Sequence, residues 1–187
     1  MVEGHKFRYE VAVIGDSQVG KTCLIMKFAK GDFTKRYDNT LGVQLSRFDL
    51  RIGNDDVRLI FWDINAGKAF QFLRPTFYKN KNAAIIVFSL EDTELGKKSF
   101  INILKWQKEV FKNRGEIPMY IFANKVDLVK VDKLNEIRIK KMAEENNFRG
   151  YYLTSAVTGG EVVTAFGEIC RDLYQDSIQK ARAQENI

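Results

Sequence analysis

The stretch Gly15-Asp16-Ser17-Gln18-Val19-Gly20-Lys21-Thr22 decides the reading of this chain, because it completes the pattern G-x-x-x-x-G-K-[ST]. It lies between Tyr9–Ile14, a short apolar run with the composition of a strand, and Lys21–Ala29, whose apolar residues recur at helical spacing. In that setting the glycines let backbone N–H groups wrap a polyphosphate, and the helix N-terminus adds positive potential. Lys21 reaches the outer phosphates, the Thr22 hydroxyl faces Mg²⁺, and Ser17, Gln18, Val19 and Cys23 complete the cradle. A glycine turn that only joined strand to helix would not require Lys and Thr at this spacing.

Further along the chain, strand-like runs alternate with helical stretches, the pattern of an α/β sheet covered on both faces. The expected strands are Tyr9–Ile14, Gln44–Ile52, Val57–Trp62, Ala83–Leu90, Met119–Ala123 and Tyr151–Thr154. Gly53-Asn54-Asp55-Asp56 separates the second and third, which predicts a hairpin and hence one antiparallel pair in a six-stranded, otherwise parallel sheet. Helices are expected at Lys21–Ala29, Leu95–Phe111, Lys133–Asn146 and Glu161–Asp176, with Gln179–Ile187 fraying. The 187 residues, 45% hydrophobic and 29% charged, suit one compact domain and exclude disorder, collagen and coiled coil.

Thirty Lys and Arg against 24 Asp and Glu give +6, but the basic residues are scattered rather than clustered, so no nucleic-acid partner is expected. The first residues lack a secretory leader and Ala83–Phe88 is too short to span a bilayer. Cys23 and Cys170 are too far apart in sequence to read as a metal pair; both are expected to be small core residues in a reducing compartment. His5, the only histidine, has no second His or clustered Cys nearby to suggest a metal site.

Asn124-Lys125-Val126-Asp127 follows the fifth expected strand and reads N-K-x-D. A carboxylate such as Asp127 accepts both the ring N–H and the exocyclic amine of guanine, a bidentate fit that adenine lacks, while Asn124 and the Lys125 stem brace loop and ring. Thr154-Ser155-Ala156, after the last strand, supplies backbone N–H groups for the guanine carbonyl oxygen.

In this order and spacing, these residues resemble the small GTPases of the Ras superfamily over about residues 8 to 175, and within it the Rab branch. The resemblance implies a P-loop NTPase G domain over 8–177, between a leader 1–7 and a tail 178–187. It also implies a monomeric switch that binds GTP and GDP with Mg²⁺. Phe33 would lie against the guanine, Thr40 would bind Mg²⁺ and the γ-phosphate, and Asp63 would reach Mg²⁺ through water. Leu45, Trp62 and Phe77 fall where Rab proteins carry an aromatic-rich effector patch, so effectors and regulators are expected there and on the two switch segments. The implied setting is cytoplasmic, peripheral on endomembranes if an anchor exists beyond this sequence. Gln184-Glu185-Asn186-Ile187 carries no prenylatable cysteine, so none is expected in the chain as given.

The second switch departs from the family. Where the family reads W-D-T-A-G-Q-E, this chain reads Trp62-Asp63-Ile64-Asn65-Ala66-Gly67-Lys68. Ungapped, Ala66 takes the place of the switch glycine and Gly67 that of the glutamine that orients the attacking water; a one-residue bulge would instead give these places to Gly67 and Lys68. Either way the glutamine is missing, and slow hydrolysis is expected, with Lys21, Thr40, Ala66 and Gly67 as the catalytic set. The alternatives are a pseudo-GTPase that holds nucleotide as a structural cofactor, or a Ran-like or mitotic-exit-type GTPase.

Smaller departures accompany this one. Gln18 replaces a small residue, and Val157 replaces a lysine beside the base, which predicts faster nucleotide release. Ser89-Leu90 ends a strand where an acid is common. Lys68, Arg74, Lys79 and Lys81 form a basic stretch with no acid among them, expected as a solvated face or a docking patch for an acidic partner.

Overall fold

The computed structural model describes residues 4–29, 34–38, 42–130 and 134–185. Its strands are β1 (Lys6–Ile14), β2 (Thr34–Asp38), β3 (Val43–Ile52), β4 (Asp55–Ile64), β5 (Ala83–Ser89), β6 (Met119–Asn124) and β7 (Gly150–Thr154). The helices are α1 (Lys21–Phe28), α2 (Arg74–Tyr78), α3 (Glu94–Ile101), α4 (Ile103–Arg114), α5 (Glu136–Glu145) and α6 (Val162–Glu185). Short 3₁₀ turns occupy Lys68–Phe70 and Val126–Leu128.

The strands form one sheet in the order β2-β3-β4-β1-β5-β6-β7. β4, β1, β5, β6 and β7 run parallel, while β2–β3 and β3–β4 are antiparallel. The six expected strands are its spine, and the mostly parallel α/β fold is as expected. The short β2 adds an edge and a second antiparallel pair. The β3–β4 hairpin closes at Gly53, whose φ of 60° a side chain would resist.

Every residue of β5 is buried, and its side chains alternate between two cores. Ala83, Ile85 and Val87 join Leu24 of α1 and Phe166 of α6, whereas Ala84, Ile86 and Phe88 join Tyr78, Trp106 and Ile139 from α2, α4 and α5. That is why the central strands read as continuous apolar runs. β1 lies between β4 and β5, so the chain leaves its carboxyl end where the strand order reverses, the natural crevice of such sheets.

Four local expectations need correction. The helix predicted over Leu95–Phe111 is broken at Asn102 into α3 and α4. α2 was not among the expected helices, although a helix face was one reading of the basic stretch, because five residues with Pro75 in the first turn carry no helical period. The segment from Gln179 is helical through Glu185, consistent with its run of helix-forming residues without Gly or Pro. Cys23 is exposed on the outer side of α1, and only Cys170 is a core residue, its thiol pushed up to about 11 by burial. Among the described residues no helix is long and apolar enough to cross a membrane.

Candidate functional site

The phosphate loop is shaped by backbone conformations that its sequence permits. Gly15 has φ 136°, and a Cβ there would meet the Val87 carbonyl oxygen at 2.1 Å. Gly20 has φ 99°, and a Cβ would lie 2.3 Å from Asn124 Nδ2. Gln18 also adopts a positive φ, 65°, with its side chain exposed at the rim. α1 then begins without a side-chain cap or an acidic residue in its first turn, so its leading N–H groups face the loop without a competing carboxylate.

Lys21 is 8% exposed, and its Nζ donates to the carbonyls of Gly15 at 2.9 Å and Asp16 at 2.8 Å. Burial pushes its amine down to about 8, against the pull of the Asp63 and Asp16 carboxylates. A cation held by two neutral carbonyls in a desolvated cleft suits an anion placed between the glycines. Beside it, Thr22 Oγ1 donates to Asp63 Oδ2. No group of three or more His, Cys, Asp or Glu side chains gathers among the described residues. One hydroxyl with one carboxylate is the donor set of a Mg²⁺ ion that takes its remaining ligands from phosphate and water.

A pocket of about 550 Å³ opens over Ser17, Lys21, Thr22 and Asp63, with Ala66 and Gln44 in its wall. Gln44 is 7% exposed. Phe33 and Thr40 lie outside the described residues.

Asn124 joins the glycine-rich loop after β1 to the loop after β7. Its Nδ2 donates to the Val19 carbonyl at 2.8 Å, and its Oδ1 accepts from Ala156 N at 3.3 Å and Thr154 Oγ1 at 3.4 Å. Ser155 Oγ donates to Asp127 Oδ1 at 2.5 Å and fixes that exposed carboxylate. Lys125 stands at φ 69° with Nζ 2.6 Å from Glu91. Val157 points to solvent, and its carbonyl accepts from Lys27 Nζ at 2.9 Å, so a cation from α1 stands beside this loop.

In the second switch segment, Asn65 N donates to the Gly42 carbonyl at 3.0 Å, which carries the β4 alignment one residue past its end. Asn65 Oδ1 accepts from Gly67 N at 2.7 Å. Gly67 has φ −57° and ψ 142°, a conformation open to any residue. Ala66 lines the pocket that holds Lys21 and Thr22 and also the adjoining cleft toward α3 and α4, and Gly67 lines that cleft.

The basic stretch is not a single surface. Lys68 and Lys79 are exposed, but Arg74 is 5% exposed and Lys81 3%. Arg74 makes a forked pair with Glu109 at 2.7 and 3.2 Å, reaches the Ala66 carbonyl at 3.3 Å and stacks over Trp106. Tyr78 OH donates to the same carboxylate at 3.1 Å. Lys81 pairs with Glu10 at 3.0 Å and lies 3.6 Å above the Trp62 ring. Each found an acid more than thirty residues away in sequence, which inspection of the stretch alone could not reveal.

Leu45 and Trp62 are direct cross-strand neighbours, and the Trp62 ring lies 6.0 Å from that of Phe77. The three therefore meet, with Leu45 and Trp62 half-buried and Phe77 buried. Trp62 Nε1 is buried and has no hydrogen-bond acceptor among the described residues. Sequence reasoning missed Asp16, whose carboxylate accepts from Asn102 Nδ2 at 2.6 Å and Trp106 Nε1 at 2.8 Å, tying the phosphate loop to the α3–α4 break. It also missed Gln44, Asn65, Glu91 and Glu109. Only the four-residue step from Asn102 to Trp106 left any pattern in the sequence.

The model of the Ras family matches residues 10–175 of this chain. The Ras-related protein Rab-13 of Bos taurus is 29% identical over 178 residues, covering 95% of this chain and 85% of that protein. The Ras-related protein Rab-21 of Homo sapiens is 29% identical over 184 residues, covering 98% of this chain and 80% of that protein.

Proposed function

This chain belongs to the Ras family, and on that premise we propose that it is a Rab-like switch that binds GTP and GDP with Mg²⁺ and hydrolyses GTP slowly. The observation that carries the nucleotide reading is Asn124, whose two amide ends hold the phosphate loop and the base loop in one piece. This supports one crevice that a guanine nucleotide would span, and both sequence motifs are intact.

In this reading Asp127 reads the guanine edge, Ala156 and Ser155 offer backbone N–H groups to its carbonyl oxygen, and Lys125 walls the ring. Gly15 to Cys23 cradle the phosphates. Lys21 would neutralise the outer phosphates, and Thr22, Thr40 and, through water, Asp63 would hold Mg²⁺, which would polarise the phosphate oxygens. By the family resemblance, Phe33 would lie against the base. Hydrolysis needs a water held in line, and the residue at the glutamine place, Gly67, has no side chain to hold it. Ala66 and Gly67 are thus where catalysis is lost. Effectors and regulators would read the two switch segments and the Leu45, Trp62 and Phe77 patch. A trafficking role in the cytoplasm or on endomembranes follows from the Rab likeness.

A second reading, a binding module with fixed switches, is favoured by two observations. Asn65 already occupies the Gly67 N–H, and Arg74 tethers Ala66 to α4 through Glu109. Denaturing the purified protein and resolving the released nucleotide by ion-exchange chromatography tests the common core of both. Guanine nucleotide is expected; abundant ATP, or no nucleotide together with no affinity for GDP, would overturn it.

A further inference from the structure

We propose that Glu91 is a positioning residue of the base pocket, whose carboxylate fixes the Lys125 side chain that walls the guanine; the proposal rests on the guanine reading above. β5 and β6 are parallel neighbours with Ser89 opposite Asn124, so the loops that carry Glu91 and Lys125 start side by side. Lys125 Nζ donates to Glu91 Oε2 at 2.6 Å. The same oxygen accepts from Ser89 Oγ at 2.7 Å, and Glu91 N donates back to Ser89 Oγ at 3.3 Å. The carboxylate is therefore oriented by its own strand end as well as by the lysine.

Its backbone is equally fixed. A Cβ at Gly96 would lie 2.0 Å from the Glu91 carbonyl oxygen, so the first turn of α3 seats directly on this residue. Lys125 stands in a left-handed conformation that a lysine adopts only when its surroundings hold it there. Both side chains are about a quarter exposed, which limits solvent screening. Lys125 and then Ser89 hold the Glu91 carboxyl below its ordinary range. Ser89, which stands where an acid is common in the family, thus has a role: it orients an acid two residues further on.

Release of a fluorescent N-methylanthraniloyl GDP, chased by excess GDP from the full chain, tests this. Glu91→Ala is expected to speed release about five- to tenfold. In a Lys125→Ala background the same change should add nothing, because Glu91 acts through that lysine. Glu91→Gln keeps the shape and an acceptor but loses the charge, and should fall between wild type and Glu91→Ala; it carries the test if Glu91→Ala does not fold. Wild-type release from either folded Glu91 variant, or an equal acceleration with and without Lys125, would overturn the proposal. Failure of the wild type to bind the probe at all would instead overturn the guanine reading.

Discussion

Lys21 sets the pH behaviour of the site. In the free protein its amine loses its proton at about 8, because burial outweighs the nearby carboxylates. A phosphate beside it would hold the proton to higher pH. Binding below that value leaves the proton count unchanged, while binding above it requires uptake of a proton. GDP affinity should therefore fall above about pH 8, by at most tenfold per pH unit. Calorimetry in two buffers of different ionisation enthalpy should detect the proton taken up at the higher pH; its absence would show that Lys21 does not meet phosphate. For the free protein's stability the sign is opposite. Between about 8 and the unfolded value of 10.5 the unfolded chain holds more protons, so this group favours folding more as pH rises through that window.

The second switch segment is decided at the scale of the element. Family members lean here on a glycine and a glutamine, but this chain supplies an Asx turn at Asn65, a Cβ at Ala66 and a buried tether at Arg74. Removing Arg74 would strand Glu109 half-buried and free α2, so Arg74→Ala should cost about 2–4 kcal/mol in urea unfolding. It should also raise hydrogen exchange across residues 65–78. Unchanged exchange would mean that the tether does not restrain the segment. Restoring the family pattern with Asn65→Ala, Ala66→Gly and Gly67→Gln together should raise single-turnover hydrolysis about tenfold or more. No gain would place the defect elsewhere, for instance at Gln18 or in the first switch segment.

At the scale of the molecule, the sheet order does the assembling. With β1 between β4 and β5, and β6 and β7 beyond, the loops after β1, β4, β6 and β7 all open on one edge, so motifs more than a hundred residues apart meet. The phosphate and base motifs and the alternating elements were legible because each is written in contiguous residues with its own spacing. What could not be read were the contacts that tie them: Asp16 to Trp106, Arg74 to Glu109 and Glu91 to Lys125. Such pairs depend on helix placement over the sheet, and their residue types alone describe an ordinary charged surface. α2 was hidden for a different reason, since five residues give a helical period no room to repeat.

The central claim is that this G domain keeps guanine nucleotide binding while having lost the group that positions the attacking water. Its most direct test loads the full chain with GTP labelled at the γ-phosphate and follows phosphate release in a single turnover with saturating Mg²⁺. The account predicts stable binding and a rate well below the roughly 10⁻⁴ s⁻¹ of a glutamine-bearing relative, with GTP persisting for hours. Release at or above that rate would contradict it.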